Sequence, residues 1–346
     1  MRAVVVVEPG RVELADLPEP QPGPYQARVR TEAASLCNAT DGKLIAGNFP
    51  GVDQYPLMLG HESAGIVDAV GEKVRNFRVG DRAIGGLLFD AGKPGISSGW
   101  GGFCEYTLVA DHDAMIADGV ADAEHGWVEV FEIQQPVAPD IPVEEAVMLC
   151  TWREVYGGIG DFHLQAGDDL LVFGAGPVGL SFLKFGKLLG LGEIVLVDPL
   201  PAKREKAAAM GADAVLAPDA GSLESFIKGR DRPLDAVIDA VGKPAIVNAA
   251  LPMIKMGGTI GVYGVIAEPA MTLEKALGPY NFNLFMHQWP TRWRERAAQE
   301  PLCAWIREGK VRADEFVTHE FPVEEVGEAI AAVVRGEVVK VLLRYR

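Results

Sequence analysis

Basic residues are scarce in this chain of 346: 32 Lys and Arg stand against 48 Asp and Glu, a formal net charge of −16. Phosphate backbones are held by a surplus of cationic side chains, so a nucleic-acid partner is not expected. Long apolar runs are also lacking near the start. The run Ala3 to Val7 is cut short by Glu8, Pro9 and Gly10, well below the length of a signal-peptide core or a membrane span, and a cytoplasmic protein without a membrane partner is expected. Cysteine is rare. Cys37, Cys104, Cys150 and Cys303 are too few and too scattered for a disulfide framework and read as thiols, some of them candidate metal ligands. The remainder is ordinary globular material, 49% hydrophobic and 23% charged, at a length that suggests about two domains.

The first stretch reads as short strands between many turn residues: Ala3 to Val7, Ala27 to Ala33, Glu62 to Val70 and Arg82 to Ile84, with Pro18, Pro20, Pro22, Gly23, Pro24 and a Gly/Pro-rich segment at Gly92 to Gly102. This half is β-rich and partly barrel-like. From about Asp169 the texture becomes a regular alternation. Apolar runs of strand length (Leu170 to Phe173, Ile194 to Val197, Ala214 to Leu216, Ala236 to Asp239, Thr259 to Tyr263) are separated by helical segments such as Val178 to Leu189, Ala202 to Met210 and Pro244 to Met256. Strands apolar on both faces with crossover helices imply a parallel sheet, so the fold class is α/β. The tail returns to mixed character, with an amphipathic stretch Val323 to Arg335 and a strand Val338 to Arg344. Asp111 to Glu132 fits neither texture and reads as an acid-rich solvated hairpin or loop around a short β-like run, Trp127 to Ile133.

Gly174-Ala175-Gly176-Pro177-Val178-Gly179 follows an apolar strand and opens a helix. Gly174 permits the tight turn, Gly176 lets the backbone approach a pyrophosphate, and Gly179 allows close helix–strand packing. Pro177 suits the first helical turn, where a missing N–H costs nothing. The diphosphate is expected on the helix N-terminus. Asp198 lies 19 residues beyond Gly179 at the end of the next strand, placed to bind the adenosine ribose diol. A carboxylate there repels a 2′-phosphate, so NAD is favoured over NADP. Val178 and Lys203 join these as expected cofactor-binding residues.

The second constellation is Cys37, His61-Glu62 and Cys150. Any one alone is as readily a buried small hydrophobe or a satisfied polar residue. Two thiolates and an imidazole from separated loops would instead suit a zinc site with one open position. Spacing leaves both readings open.

Gly60-His61-Glu62-Ser63-Ala64-Gly65, followed by Gly71 and Val74, resembles the signature of the zinc-containing alcohol dehydrogenases of the medium-chain dehydrogenase/reductase family. The likeness extends through the Cys37 loop, the Asn76 to Arg82 turn, the Cys150 segment, the nucleotide fingerprint and Val317-Thr318-His319. It implies a GroES-like catalytic domain over 1–151 and 285–346 and a Rossmann domain over 152–284. It further implies a catalytic zinc held by Cys37, His61 and Cys150 with Glu62 as a close or exchangeable ligand, and a Lys340 that touches the cofactor pyrophosphate. Many relatives carry a second zinc on four close cysteines, but Phe89 to Cys104 offers only Cys104, so one zinc per chain is expected. The loop Cys37-Asn38-Ala39-Thr40-Asp41 is one residue longer than usual: either a local bulge brings Thr40 into place to relay the proton, extended by Lys43, which is the favoured reading, or Ala39 sits there and the relay differs.

The implied activity is hydride transfer between an alcohol and NAD, with a secondary alcohol or a polyol as the small-molecule substrate and a homodimer or homotetramer as the assembly. The rivals are a zinc-free quinone or enone reductase of the same superfamily and a non-catalytic NAD-binding sensor. Glu154, four residues after Cys150, is expected either to pair with a cation such as Arg153 or to help select a polyhydroxylated substrate.

Overall fold

Leu170 to Phe173 is a strand of four fully buried apolar residues, and a strand without a polar face has to be covered on both sides. The computed structural model, which describes residues 1–346, places it inside a six-stranded, all-parallel sheet. In spatial order the strands are Ala214–Leu216, Ile194–Val197, Leu170–Phe173, Leu234–Asp239, Ile254–Val262 and Asn283–Met286. The order reverses between Leu170–Phe173 and Leu234–Asp239. In doubly wound sheets, ligands sit beyond the carboxyl ends of the strands at such a reversal. Helix Pro177–Leu189 begins there, directly after the first of these strands.

This sheet and its helices form one compact unit, Glu154–Glu295. The expected boundary after 284 is corrected because Asn283–Met286 pairs with Thr259 to Val262 as the sixth strand, which keeps residues 285–295 in this unit. At its other end the unit starts at Glu154, within helix Val143–Asp161, rather than at 152. The helix expected over Pro244 to Met256 ends at Ala250. Pro252 has no N–H to continue it, and the chain passes through the 3-10 turn Leu251–Met253 into strand Ile254–Val262.

The other unit joins Met1–Arg153 to Arg296–Arg346. Its larger sheet runs Val317–Pro322, Lys340–Arg344, Gln26–Ser35, Ser63–Val70, Arg82–Ile84 and Pro136–Val137, with Tyr106–Ala110 also paired to Gln26–Ser35. Strand Lys340–Arg344 is antiparallel to the end of Gln26–Ser35, with Leu342 opposite Ser35. The last strand of the chain therefore lies beside the stretch that leads into Cys37. A smaller sheet holds Arg11–Asp16, Arg2–Glu8, Leu57–Met58 and Ser97–Ser98. No helix is long and apolar enough to cross a membrane.

The acid-rich segment is helical rather than β-like. Helix His112–Ala117 is followed by 3-10 turns Ala123–His125 and Glu129–Ile133, so the expected run Trp127 to Ile133 is corrected. Gly126 at φ +75° ends the first turn, and the second closes its own hydrogen bonds, Phe131 N–H to Val128 O and Gln134 N–H to Phe131 O. Most of its acids are solvated, but Asp111 is not. At 1% exposure it accepts the N–H groups of Arg75 (2.6 Å), Asn76 (2.8 Å) and Ala114 (3.0 Å) and the Asn76 amide (2.7 Å). Burial opposes ionisation, yet these donors outweigh it and hold the carboxyl below the usual range.

Asp111→Ala strands three backbone donors and uncaps a helix, and should lower unfolding free energy at pH 7 by roughly 2–4 kcal/mol. Because the folded-state value is depressed, the charge-linked part is present above the unfolded value, about 3.9, and fades as pH falls through the folded one. Denaturant titrations of both proteins between pH 7 and pH 3 should show the gap narrowing with acid. A constant gap would contradict the linkage.

Candidate metal centre and nucleotide site

Cys37 follows strand Gln26–Ser35 and precedes helix Thr40–Ala46. Asp41 and Cys37 close a local ring: the Asp41 N–H donates to Cys37 O at 2.9 Å, and the Cys37 N–H donates to Asp41 Oδ2 at 2.8 Å. Ahead of His61, Gly60 takes φ +97°, and a Cβ there would stand 2.2 Å from the Phe103 ring. Strand Ser63–Val70 then fixes Glu62. These two stretches bring ligand atoms of Cys37, His61 and Glu62 within 4.8 Å of one another. Cys150 is not a member of that cluster. It is buried on helix Val143–Asp161, its thiol 3.9 Å from the carbonyl oxygen of Ser63, the residue after Glu62. Thr40 is buried at the start of its helix, next to Asp41.

His61 Nδ1 and Asp41 Oδ1 face each other at 3.4 Å, both buried and neither in a hydrogen bond, while His61 Nε2 lies 3.8 Å from Glu62 Oε1. Burial disfavours a charged imidazole, but Asp41 and Cys37 more than reverse this and hold His61 well above the ordinary histidine range. A field that favours an extra proton also favours a cation. Soft sulfur, imidazole nitrogen and carboxylate oxygen form a donor set that zinc accepts, so the residues fit the metal.

Glu62 carries a network that no sequence pattern announced. Its Oε2 pairs with the Lys340 ammonium at 2.6 Å and accepts from the Ser35 hydroxyl, and its Oε1 accepts from Thr151 Oγ1 at 3.0 Å. Lys340 also donates to Thr151 Oγ1 at 3.3 Å. Burial would raise the Glu62 carboxyl, but Lys340 and His61 outweigh it and keep it ionised. Lys340, expected at the pyrophosphate, is thus found 3% exposed against Glu62. Cys104, the lone thiol of the Phe89 to Cys104 stretch, is fully buried, and burial pushes it to about 12. It is an inert core thiol.

In the other unit, Gly174 sits at φ +103°, and a Cβ on Gly179 would lie 1.8 Å from Gly174 O, so the turn tolerates only glycine at these points. A Cβ on Gly176 would meet nothing within 4 Å, which leaves room for a ligand against the backbone. Gly176 caps helix Pro177–Leu189, with Pro177 and Val178 in its first turn. Asp198 is 5% exposed and ties the turn together, accepting from Ala175 N at 2.9 Å and Leu200 N at 2.9 Å. Lys203 lies half-buried on helix Pro201–Ala209. Across the strand reversal, Asp239 accepts from the N–H groups of Val241, Gly242 and Lys243, a carboxylate role the sequence reading missed. Glu154 accepts from the Tyr263 hydroxyl at 3.2 Å. Arg153, expected as its partner, instead gives its guanidinium to the Leu149 and Ile133 carbonyls and the Gln299 amide oxygen.

Known proteins match both units. Residues 23–118 match the alcohol dehydrogenase GroES-like domain family, and residues 177–290 match the zinc-binding dehydrogenase family. The chain is 30% identical to an alcohol dehydrogenase of Cupriavidus necator, over 94% of this chain and 93% of that one. The chain belongs to the zinc-containing alcohol dehydrogenases of the medium-chain dehydrogenase/reductase family. The dehydrogenase is 27% identical to the sorbitol dehydrogenase of Bacillus subtilis, over 79% of this chain and 78% of that one. Its fold matches that of the Escherichia coli alcohol dehydrogenase RspB, solved with NADH, at a TM-score of 0.81 and 22% identity over 100% of this chain and 99% of that one. It is an alcohol oxidoreductase that works with zinc and a nicotinamide dinucleotide.

Removing the carboxylate that faces the imidazole should weaken the metal centre without touching a ligand. For Asp41→Asn, zinc affinity measured by chelator competition should fall by about 10- to 100-fold. Unchanged affinity would show that Asp41 serves only the Cys37 backbone.

Proposed function

We propose that this dehydrogenase oxidises secondary alcohols or polyols with NAD, using one zinc per chain held by Cys37, His61 and Cys150, with Glu62 beside them. The observation that carries the reading is the convergence of Cys37, His61 and Glu62 within 4.8 Å, with Asp41 behind the imidazole. When bound, zinc supplies Lewis acidity toward an alcohol and the nicotinamide supplies the hydride acceptor.

The chain's own residues do the rest. Asp41 orients His61, Lys340 and His61 keep the Glu62 carboxylate ionised, and Ser35 and Thr151 fix its position by donating to it. Thr40 passes the alcohol proton outward. The N-terminus of helix Pro177–Leu189 takes the pyrophosphate over Gly176, and Asp198 takes the ribose diol while repelling a 2′-phosphate. Likeness to a sorbitol dehydrogenase is what brings polyols into the substrate range, and the side chains beside His61 decide between the two classes.

The same reading takes the protein to be a cytoplasmic homodimer or homotetramer. Strand Asn283–Met286 supports association, because it is the outer edge of its sheet and Tyr280, just before it, is 87% exposed. Sedimentation of the native protein should give a multiple of 37.1 kDa. A monomer at micromolar concentration would end that part of the reading.

Elemental analysis of metal-replete protein tests the zinc assignment directly. One zinc per chain, lost in Cys37→Ala, His61→Ala and Cys150→Ala while the fold persists, is the expected result. Retention of zinc in Cys150→Ala would remove that residue from the set, and no zinc in the wild type would favour the zinc-free reductase. For the cofactor, kcat/KM with NAD should exceed that with NADP by at least about tenfold, or 1.4 kcal/mol. Asp198→Gly should narrow the ratio, and parity in the wild type would refute the assignment.

A further inference from the structure

Only two residues other than glycine adopt positive φ, and one of them is Trp100, at +71°. A bulky L side chain reaches that region when the surrounding structure imposes it, and such sites concentrate where function is done. The imposing structure here is a ladder between Gly99–Phe103 and the stretch that leads into His61. Gly99 N–H donates to Met58 O at 2.7 Å, Gly102 N–H to Gly60 O at 2.6 Å and Phe103 N–H to Leu59 O at 2.9 Å. Trp100 O accepts from Leu88 N at 2.8 Å.

The flanking glycines cannot be replaced without moving this ladder. A Cβ on Gly99 would stand 2.7 Å from Leu57 Cδ1, and one on Gly102 would stand 2.9 Å from the Gly60 carbonyl. Trp100 is therefore held between backbone bonded to Met58, Leu59 and Gly60, the three residues that lead into His61, and the bond from Leu88. Its half-buried indole meets the His61 ring edge-on, with centroids 5.8 Å apart at 62°, and meets Phe49 at 5.3 Å and 81°. Phe49 is buried behind it.

We propose that Trp100, backed by Phe49, is the specificity-determining wall of the alcohol site, selecting carbinols that carry a flat apolar arm, aryl or cycloalkyl, over polyols. The inference rests on the reading above that the alcohol binds beside His61. An aromatic face stacks on another ring or covers an apolar one, and it gives a polyol hydroxyl nothing to replace the water it loses. The two carboxylates around His61 hold groups of the chain itself. Asp41 holds the Cys37 N–H, and Glu62 holds Lys340, Ser35 and Thr151.

The test compares the zinc-loaded wild type with Trp100→Gly and Trp100→Phe. Glycine removes the indole and suits the backbone, so folding should survive, with zinc per chain and melting temperature as controls. The ratio of kcat/KM for 1-phenylethanol to that for 2-propanol should fall by at least about tenfold in Trp100→Gly. It should stay within about threefold of wild type in Trp100→Phe. Titration of acetophenone into enzyme holding NAD, a pair with no hydride to transfer, should show the same order of affinities without turnover. Equal loss on both alcohols, no change in the ratio, or a wild type that prefers sorbitol over 1-phenylethanol would overturn the proposal. A wild type inactive on every alcohol would instead overturn the functional reading itself.

Discussion

Glu62 is an ionised carboxylate at 3% exposure, and the unit around it is organised by the need to compensate that charge. A buried ion left without a partner costs several kcal/mol, enough to matter against the stability of a whole domain. Its partners come from three distant stretches: Ser35 at the end of a strand, Thr151 on helix Val143–Asp161, and Lys340 at the start of the last strand. Strand Lys340–Arg344 has to return to the sheet of Gln26–Ser35 for the ammonium to reach the carboxylate. The same strand pairing fixes Ser35, two residues before Cys37. Charge compensation and placement of the strand end that carries Cys37 are thus one structural event.

Around His61 the backbone is held by close approach. Gly60 and Gly102 carry no Cβ because the chains touch there, and the result is a histidine whose ring is bounded by Asp41, Glu62 and an indole in fixed positions. Acidic groups on two sides make the imidazole surroundings favourable to positive charge. Lys340 supplies the opposing charge behind Glu62.

The nucleotide unit was legible because its code is local. Gly174, Gly176, Pro177 and Gly179 fall within six residues, and each answers a steric demand that short sequence can state: a positive φ, an open face, a first helical turn, a contact with no room for Cβ. Asp198 was singled out by its distance from the turn, and its carboxylate serves the turn's own N–H groups. Asp239 plays a similar part at the next strand end and was missed, because one acid after an apolar run looks like any strand terminus. The metal centre was legible only through resemblance. Cys37 and His61-Glu62 lie too far apart for spacing to say that they meet, and the network around Glu62 joins residues up to 305 positions apart in chain order, from 35 to 340. The acid-rich segment misled for a related reason. Alternation at Trp127 to Ile133 suggests a strand, but no neighbouring strand takes it up, and local turn hydrogen bonds satisfy its backbone instead.

The Glu62–Lys340 pair also bears on how acidic the proposed zinc is. The two thiolates and neutral imidazole proposed as its ligands would already cancel a dication, and a further uncompensated carboxylate nearby would make such a centre anionic and weaken its pull on an alcohol oxygen. Lys340, at 2.6 Å from Oε2, cancels that surplus while leaving Oε1 directed to Thr151 and the His61 side. The carboxylate can therefore stand within 4.8 Å of the other donors without adding net charge to the centre. A lysine suits this task because its ammonium is a compact point charge that satisfies one carboxylate oxygen and one hydroxyl at once, whereas the planar fork of arginine favours bidentate contact with both oxygens. With both oxygens held, Thr151 would be displaced, and with it the link from the metal-side carboxylate to the helix that carries Cys150.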